Sequence, residues 1–436
     1  VTLRALAPSV FLPAMVYEIG NGAMSPVIAL TALHLGASAS TAGFMLAFLG
    51  IGQVLGDIPA SALADRIGDR RAMIIAAGLA IVAQFACFLA PHLIVLGLAL
   101  LVIGSSNSTF YLARQSYLTD VVPTQLRARA MSTLGGSHRV GLFLGPFVGA
   151  AAIGLTGMRA AYIVAMCAAA TAAALLLLIP DVPPPPDQPV AVRGQVSSWE
   201  MFGRNRRLFA TLGIAILAVG AVRAARQTVI PLWGEHIGLN AAQISIIFGI
   251  ASAVDMALFY PAGKVMDQRG RLAVALPSMT ILGVAMMCLP LSGGTVLLTV
   301  IAMTMSFGNG IGSGIMMTLG ADAAPTDGRI RFLGIWRVLS DSGNAAGPVI
   351  VSVVAAVSTL GIGIVAVGSM GLLAAVALAA FVPRYSPAAF GPAHQRRTVR
   401  PQPEAGPPPA ESVAPPAESV APPALSAPPA AGPAGS

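Results

Sequence analysis

The stretch PASALADRIGDRR, Pro59 to Arg71, decides how this chain folds. It places five charged residues and a glycine between two long apolar runs, in a chain of 436 residues that is only 10% charged and 56% hydrophobic. Soluble domains carry about 25% charged residues. With a mean hydropathy of +0.79, most of the chain is expected to lie in lipid. The charged stretch then reads as a short aqueous connection between two membrane-crossing helices.

Working outward from it, apolar runs between polar or Gly/Pro breaks give twelve spans, at about 9–33, 41–63, 72–90, 93–119, 131–154, 159–179, 208–232, 241–262, 272–289, 295–319, 332–357 and 360–382. Runs of roughly 20 apolar residues suit helices, and barrel strands would be short and alternating. The connections at one face hold nineteen basic residues, and those at the other hold only Arg159. That asymmetry predicts a plasma (inner) membrane protein with both termini in the cytoplasm. It also explains the net charge of +8 without nucleic acid. Cys87, Cys167 and Cys288 sit in apolar runs with no metal-ligand spacing, so neither a metal site nor a disulfide framework is expected. No signal-peptide cleavage pattern follows the first run.

The second half repeats the first at a constant offset of 202 residues. Pro59, Asp65 and Gly68 match Pro261, Asp267 and Gly270; Asn107 matches Asn309; Asp120, Arg127 and Arg129 match Asp322, Arg329 and Arg331; Gly141, Gly145 and Pro146 match Gly343, Gly347 and Pro348. One register held across so many residues implies two parallel six-helix halves with a site between them near mid-membrane. The expected organisation is an N-terminal half at 1–179, a cytoplasmic linker at 180–207 containing PPPP, a C-terminal half at 208–382, and a Pro/Ala-rich disordered cytoplasmic tail at 383–436.

Twelve spans in two parallel halves, with this charged connection between the second and third, resemble the major facilitator superfamily over about residues 5–383. Asp65, Arg66, Gly68, Arg70 and Arg71 carry the family's first signature, with Asp69 inserted before the basic pair; Asp267, Gly270 and Arg271 remain of a second copy. In span 5, Gly141, Gly145, Pro146 and Gly149 resemble the antiporter signature, with Ala150 in place of its last glycine, while Gly347 and Pro348 stand in span 11. Glycines four apart also let helices pack closely. The resemblance implies that spans 1, 4, 7 and 10 line a cavity and that spans 3, 6, 9 and 12 face lipid. The residues agree, because the latter four have no charged side chain within their apolar interiors.

The polar residues of the cavity-lining spans are the candidates for chemistry. Glu18 lies roughly 13–15 Å into span 1, near mid-membrane. A carboxylate there can load and release a proton, or form a permanent ion pair with Arg223 or Arg226. Asn21, Asn107, Arg114, Arg223, Arg226 and Asn309 join it as coupling or substrate residues. Arg114 with Gln115 resembles the family's span 4 signature, at a shorter spacing. Arg223 and Arg226 are expected toward the outer third of span 7, as an anion clamp or against Glu18 or Glu235. Asp57, Asp255, His138, Arg139, Arg337 and Asp341 are further polar residues of helices between the halves, with Asp57 and Asp255 as alternative proton sites.

The leading expectation is a monomeric secondary transporter that works by alternating access, driven by a proton gradient and without a cofactor, exporting drug-like or amphipathic small molecules. Proton-coupled import of a polar or anionic metabolite is the second reading, and a non-transporting scaffold or sensor the third. No phosphate-binding loop, HExxH or GxSxG occurs, so neither ATP-driven transport nor an enzyme is expected. Asp65 is predicted to meet the amino end of span 11 near Arg331 as a cytoplasmic latch, with Gly68 permitting the turn.

Overall fold

A computed structural model describes residues 7–122, 126–179, 198–325, 328–386 and 389–390, which belong to one compact unit. They are helical, with no strand among the described residues. The membrane helices are α1 Leu12–His34, α2 Ala39–Ile67, α3 Asp69–Leu89, α4 Leu93–Val121, α5 Arg127–Thr156 and α6 Ala160–Leu178, then α7 Ile214–His236, α8 Ala241–Arg269, α9 Leu272–Cys288, α10 Thr295–Ile311, α11 Arg329–Val357 and α12 Leu360–Tyr385. After a break at Gly312–Gly314, α10 resumes as Ile315–Ala323. Eleven of the twelve are long and apolar enough to cross a bilayer on composition alone. The exception is α1, whose buried face carries Glu18 and Asn21.

The repeat is visible helix by helix. The boundaries of α1 and α7, and likewise of α2 and α8, differ by 202 residues at both ends. Their caps correspond too. The Ser38 hydroxyl accepts from the Thr41 amide at 3.2 Å before α2, and Asn240 with Gln243 forms a reciprocal capping box before α8. Gly68 and Gly270 end these helices at φ +88° and +94°, a backbone that L side chains rarely adopt. One residue after α2, and two after α8, turn the chain into the next helix.

Close helix contact is made by glycine. A Cβ on Gly145 would lie 2.5 Å from the Ile19 carbonyl of α1, and one on Gly347 would lie 2.1 Å from the Ala221 carbonyl of α7. The same glycine spacing thus seats α5 on α1 and α11 on α7. Large apolar side chains on α3, α6, α9 and α12, among them Val82, Leu178, Val284 and Val376, are exposed as expected of a lipid-facing surface.

Between the halves, α2 packs on α11 and α5 on α8. At the end of the molecule away from the arginine-rich connections, Leu232 of α7 is buried in the N-terminal apolar core with Met24, Ile28 and Met45, and Leu360 packs beside it. The other described apolar clusters each stay within one half. The halves are therefore sealed by apolar packing at the arginine-poor end.

Two boundaries differ from composition. The segment before α7 contains a short helix, Ser198–Arg204, which buries Met201 and exposes Trp199; residues 180–197 lie outside the described residues. The last helix continues through Pro383 to Tyr385, and the Ala389 carbonyl accepts from the Leu272 amide at 3.1 Å. Tertiary contact thus holds the chain past the point where its composition changes. The rest of the expected tail lies outside the described residues.

Candidate functional site

A cavity of about 500 Å³ lies between the halves. It is lined from α1, α2, α4, α5, α7, α8, α10 and α11, by Glu18, Asn21, His138, Arg139, Arg226 and Asp255 among others. None of its lining comes from α3, α6, α9 or α12. Met24, Ile28, Leu46, Phe248 and Met316 give it apolar walls.

On the N-terminal side Glu18 is fully buried, and its Oε1 lies 3.0 Å from His138 Nδ1 of α5. Asn21 Nδ2 reaches Glu18 Oε2 at 3.5 Å and donates to the Tyr111 hydroxyl at 3.2 Å. Tyr17 donates to Asn107 Oδ1 at 2.8 Å and stacks on Phe110. Arg114 is buried with its guanidinium 5.1 Å from the Tyr111 ring centroid, a cation–π contact. Its Nε and Nη1 have no hydrogen-bond partner among the described residues. Glu18 therefore pairs with a histidine of its own half, and neither Arg223 nor Arg226 is its partner.

On the C-terminal side Asp255 of α8 is the organising acid. Asn309 donates to Asp255 Oδ2 at 2.8 Å, and Arg226 Nη2 lies 3.8 Å from the same oxygen while its Nη1 donates to Ser306 at 2.6 Å. Arg223 donates from Nε to Asn309 Oδ1 at 2.8 Å and from Nη1 to the Gly312 carbonyl at 3.0 Å. These bonds hold Arg223 and Arg226 at cavity depth, not at the outer third of the helix. Arg139 reaches across from α5, pairs with Asp255 Oδ1 at 3.1 Å, donates to Ser313, and lies 4.6 Å from the Phe259 ring centroid. Two arginines thus converge on one carboxylate, and a third, Arg223, joins it through Asn309.

The repeat register relates the two sides. Asn21 and Arg223 stand 202 residues apart, as do Asn107 and Asn309; Asn21 donates to Asn107 across α1/α4, and Arg223 donates to Asn309 across α7/α10. The same interior frame carries an amide in one half and a cation in the other.

A family model for the Major Facilitator Superfamily matches residues 10–348. The chain belongs to this superfamily. It is a multi-pass membrane transporter, not an enzyme. Solved structures with the same fold include a D-xylose–proton symporter (TM-score 0.65, 16% identity, 87% of this chain and 97% of that one). The nucleoside transporter NupG gives a TM-score of 0.68 at 13% identity, over 87% and 99% of the two chains. A POT family transporter in complex with 5-aminolevulinic acid gives 0.70 at 14% identity, over 88% and 96%. Among curated proteins, the multidrug resistance protein MdtG of Klebsiella pneumoniae (strain 342) is 22% identical over 163 residues, 36% of this chain. The match spans 40% of that relative's length.

The superfamily's signature residues lie away from the cavity. Arg70 donates from Nε to the Leu176 carbonyl at 2.6 Å and from Nη2 to the Ile179 carbonyl at 2.5 Å, capping the end of α6. Arg66 and Arg71 are exposed. In the second copy Arg271 pairs with Asp322 at 3.0 Å and Asp267 at 3.3 Å. The Asp65 side chain, and with it the latch expected near Arg331, lies outside the described residues. Gly141 and Gly149 pack against Glu18 Cβ and Ala23 of α1. His138 and Arg139 were legible as polar residues of span 5; their partners were not, because helical spacing does not show which carboxylate a neighbouring helix brings opposite.

Proposed function

We infer that this protein is a proton-coupled secondary transporter that exports amphipathic small molecules by rocking its two halves about the central cavity. The observation that carries this reading is Glu18, fully buried and 3.0 Å from His138 at the cavity wall. A carboxylate and an imidazole in contact can take up or release one proton without leaving the site. The mixed apolar and polar lining suits an amphipathic cargo, and the MdtG match supports export. The arginine-poor seal corresponds to a state open toward the cytoplasm, with both termini there, in the plasma (inner) membrane. A monomer of two six-helix halves, 1–179 and 208–382, suffices for the cycle.

Import or export of an anionic molecule is a second reading, favoured by one observation. Arg139 and Arg226 share the acid Asp255 while Arg223 is bonded only to the neutral Asn309 and the Gly312 carbonyl, which leaves positive charge for a carboxylate or phosphate to neutralise.

Inside-out vesicles with an imposed pH gradient separate these readings. Acidifying the lumen should drive accumulation of ethidium or a neutral amphiphile, and Glu18→Gln should abolish the proton dependence. Accumulation only of an amphipathic anion would favour the second reading. Gradient-driven flux that survives Glu18→Gln unchanged would remove Glu18 from coupling.

A further inference from the structure

The basic run before α7 has no part in the cavity and none in the transport cycle proposed above. It reads SWEMFGRNRR, Ser198 to Arg207, and forms the short helix Ser198–Arg204 and the first turn of the span that continues as α7. Trp199 is 84% exposed and Phe202 42%, while Met201 between them is buried in the C-terminal core. A tryptophan so exposed is unfavourable in water unless something apolar covers it. Arg204, Arg206 and Arg207 are exposed, and none of them pairs with an acid among the described residues. Thr211 donates to the Tyr385 hydroxyl at 3.2 Å, which brings the exposed Arg384 of α12 to the same end of the molecule. Glu200 is the one acid of the run.

The depth of this surface follows from the span it precedes. Arg206 to His236 is one apolar stretch of 31 residues. At 1.5 Å per residue it is about 46 Å long, matching a bilayer with both of its headgroup layers. Arg206 and Arg207 therefore stand at headgroup level on the arginine-rich side, and the short helix lies at the same surface. It is also held still. Phe202 stacks on Phe209 with ring centroids 5.4 Å apart, Phe209 on Phe332 of α11 at 5.1 Å, and Phe332 on Trp336 at 6.0 Å. The ladder ends where Trp336 Nε1 donates to the Met316 carbonyl at 2.9 Å, in the wall of the cavity. A support fixed in this way loses little conformational freedom when a ligand settles on it.

An exposed indole at headgroup depth, beside guanidinium groups that lack an acid, has the chemistry of an interfacial anchor selective for negative lipid. We propose that the surface from Trp199 to Arg207 is a binding site for anionic phospholipid. Arg204, Arg206 and Arg207 hold the phosphate-bearing headgroup, and the acyl chains cover Trp199 and Phe202. The site takes no part in cargo or proton binding. It depends on the proposed orientation only for which leaflet supplies the lipid, so a bilayer with the same lipids in both leaflets tests it apart from the transport reading. Each basic residue near an anionic surface contributes about fivefold to such a preference, and three arginines against one glutamate leave two net charges, so the expected enrichment over neutral lipid is about 25-fold at low salt.

The test places the full chain in nanodiscs of phosphatidylglycerol and phosphatidylcholine at one fixed ratio, with bromine on the acyl chains of either lipid at equal mole fraction. Bromine quenches the emission of a tryptophan that it touches. The signal of Trp199→Phe, which keeps Trp233 and Trp336, is subtracted to isolate Trp199. Bromine on phosphatidylglycerol should quench Trp199 several-fold more strongly than bromine on phosphatidylcholine, and the difference should fade as salt is raised. Replacing Arg204, Arg206 and Arg207 together by glutamine should make the two lipids equal while quenching itself remains. All four substituted side chains are exposed, so these variants should unfold in detergent as the parent does. Equal quenching by the two lipids in the parent would overturn the proposal, as would a preference untouched by the triple replacement. Absence of Trp199 quenching by either lipid would also overturn it. Recovery of quenching on removal of residues 396–436 would then give the arginines to Glu404, Glu411 and Glu418 of the chain's own C-terminal segment.

Discussion

The α5·α8 and α2·α11 seams are equivalent by the repeat but carry opposite charge. Arg139 of α5 corresponds by the 202-residue register to Asp341 of α11, and Phe259 of α8 corresponds to Asp57 of α2. One seam has a guanidinium held by Asp255 and covered by Phe259. The other carries Asp57 on α2 and Asp341 on α11, the latter 3.5 Å from Arg337. An arginine stays charged throughout the physiological range, so the first seam is a fixed ion pair. Duplication supplied the symmetric frame, and divergence at two positions put a cation at one seam and acids at the other.

The comparison can be broken most severely at Asp255. Replacing it with alanine removes the counter-ion of Arg139 and Arg226 and the acceptor of Asn309. Leaving buried cations unpaired costs about 3–5 kcal/mol, so Asp255→Ala should strongly lower the thermal unfolding midpoint in detergent and abolish flux. Arg139→Asp would make the first seam resemble the second. It should cost less, since Arg226 still faces Asp255; unfolding midpoints in detergent decide it.

Packing tests the symmetry of the frame itself. Gly145→Ala and Gly347→Ala each force a methyl into a backbone carbonyl, so each should destabilise by about 1–3 kcal/mol. Gly347→Ala should be the worse, because its clash is closer, at 2.1 Å against 2.5 Å. The smallest effect belongs to the caps. Asn240→Ala loses a reciprocal pair and Ser38→Ala a single bond, about 1 kcal/mol and somewhat less respectively. Equal losses would mean that the capping box adds nothing beyond one bond.

Much of this architecture was legible in residues. The spans were readable because bilayer thickness sets helix length, and the repeat because Pro59, Asp65 and Gly68 recur at one offset. Glu18 was readable because a lone carboxylate at mid-membrane is costly. Its partner was not: His138 stands 120 residues away, and helix rotation decides whether it or an arginine faces Glu18. Asp57 and Asp341 were visible as acids, but which side chains each one faces depends on how α2 crosses α11. A sequence period carries no information on that crossing. Pro383 likewise looked like an end, yet the following turn docks on α9 through a backbone bond that side-chain composition does not encode.

The interruption of α10 has a mechanical consequence. Its counterpart α4 runs unbroken from Leu93 to Val121 and behaves as a single strut, whereas α10 is two shorter levers joined at Gly312–Gly314, with Gly314 at φ +80°. The joint is gripped from both sides: Arg223 of the same half holds the Gly312 carbonyl, and Arg139 of the other half holds Ser313. The far lever ends near Asp322, pinned by Arg271. A swing of α5 relative to α8 therefore pulls on a hinge whose outer arm is anchored, and bending concentrates in three residues instead of spreading along the helix. The C-terminal half has a crank where the N-terminal half has a rod.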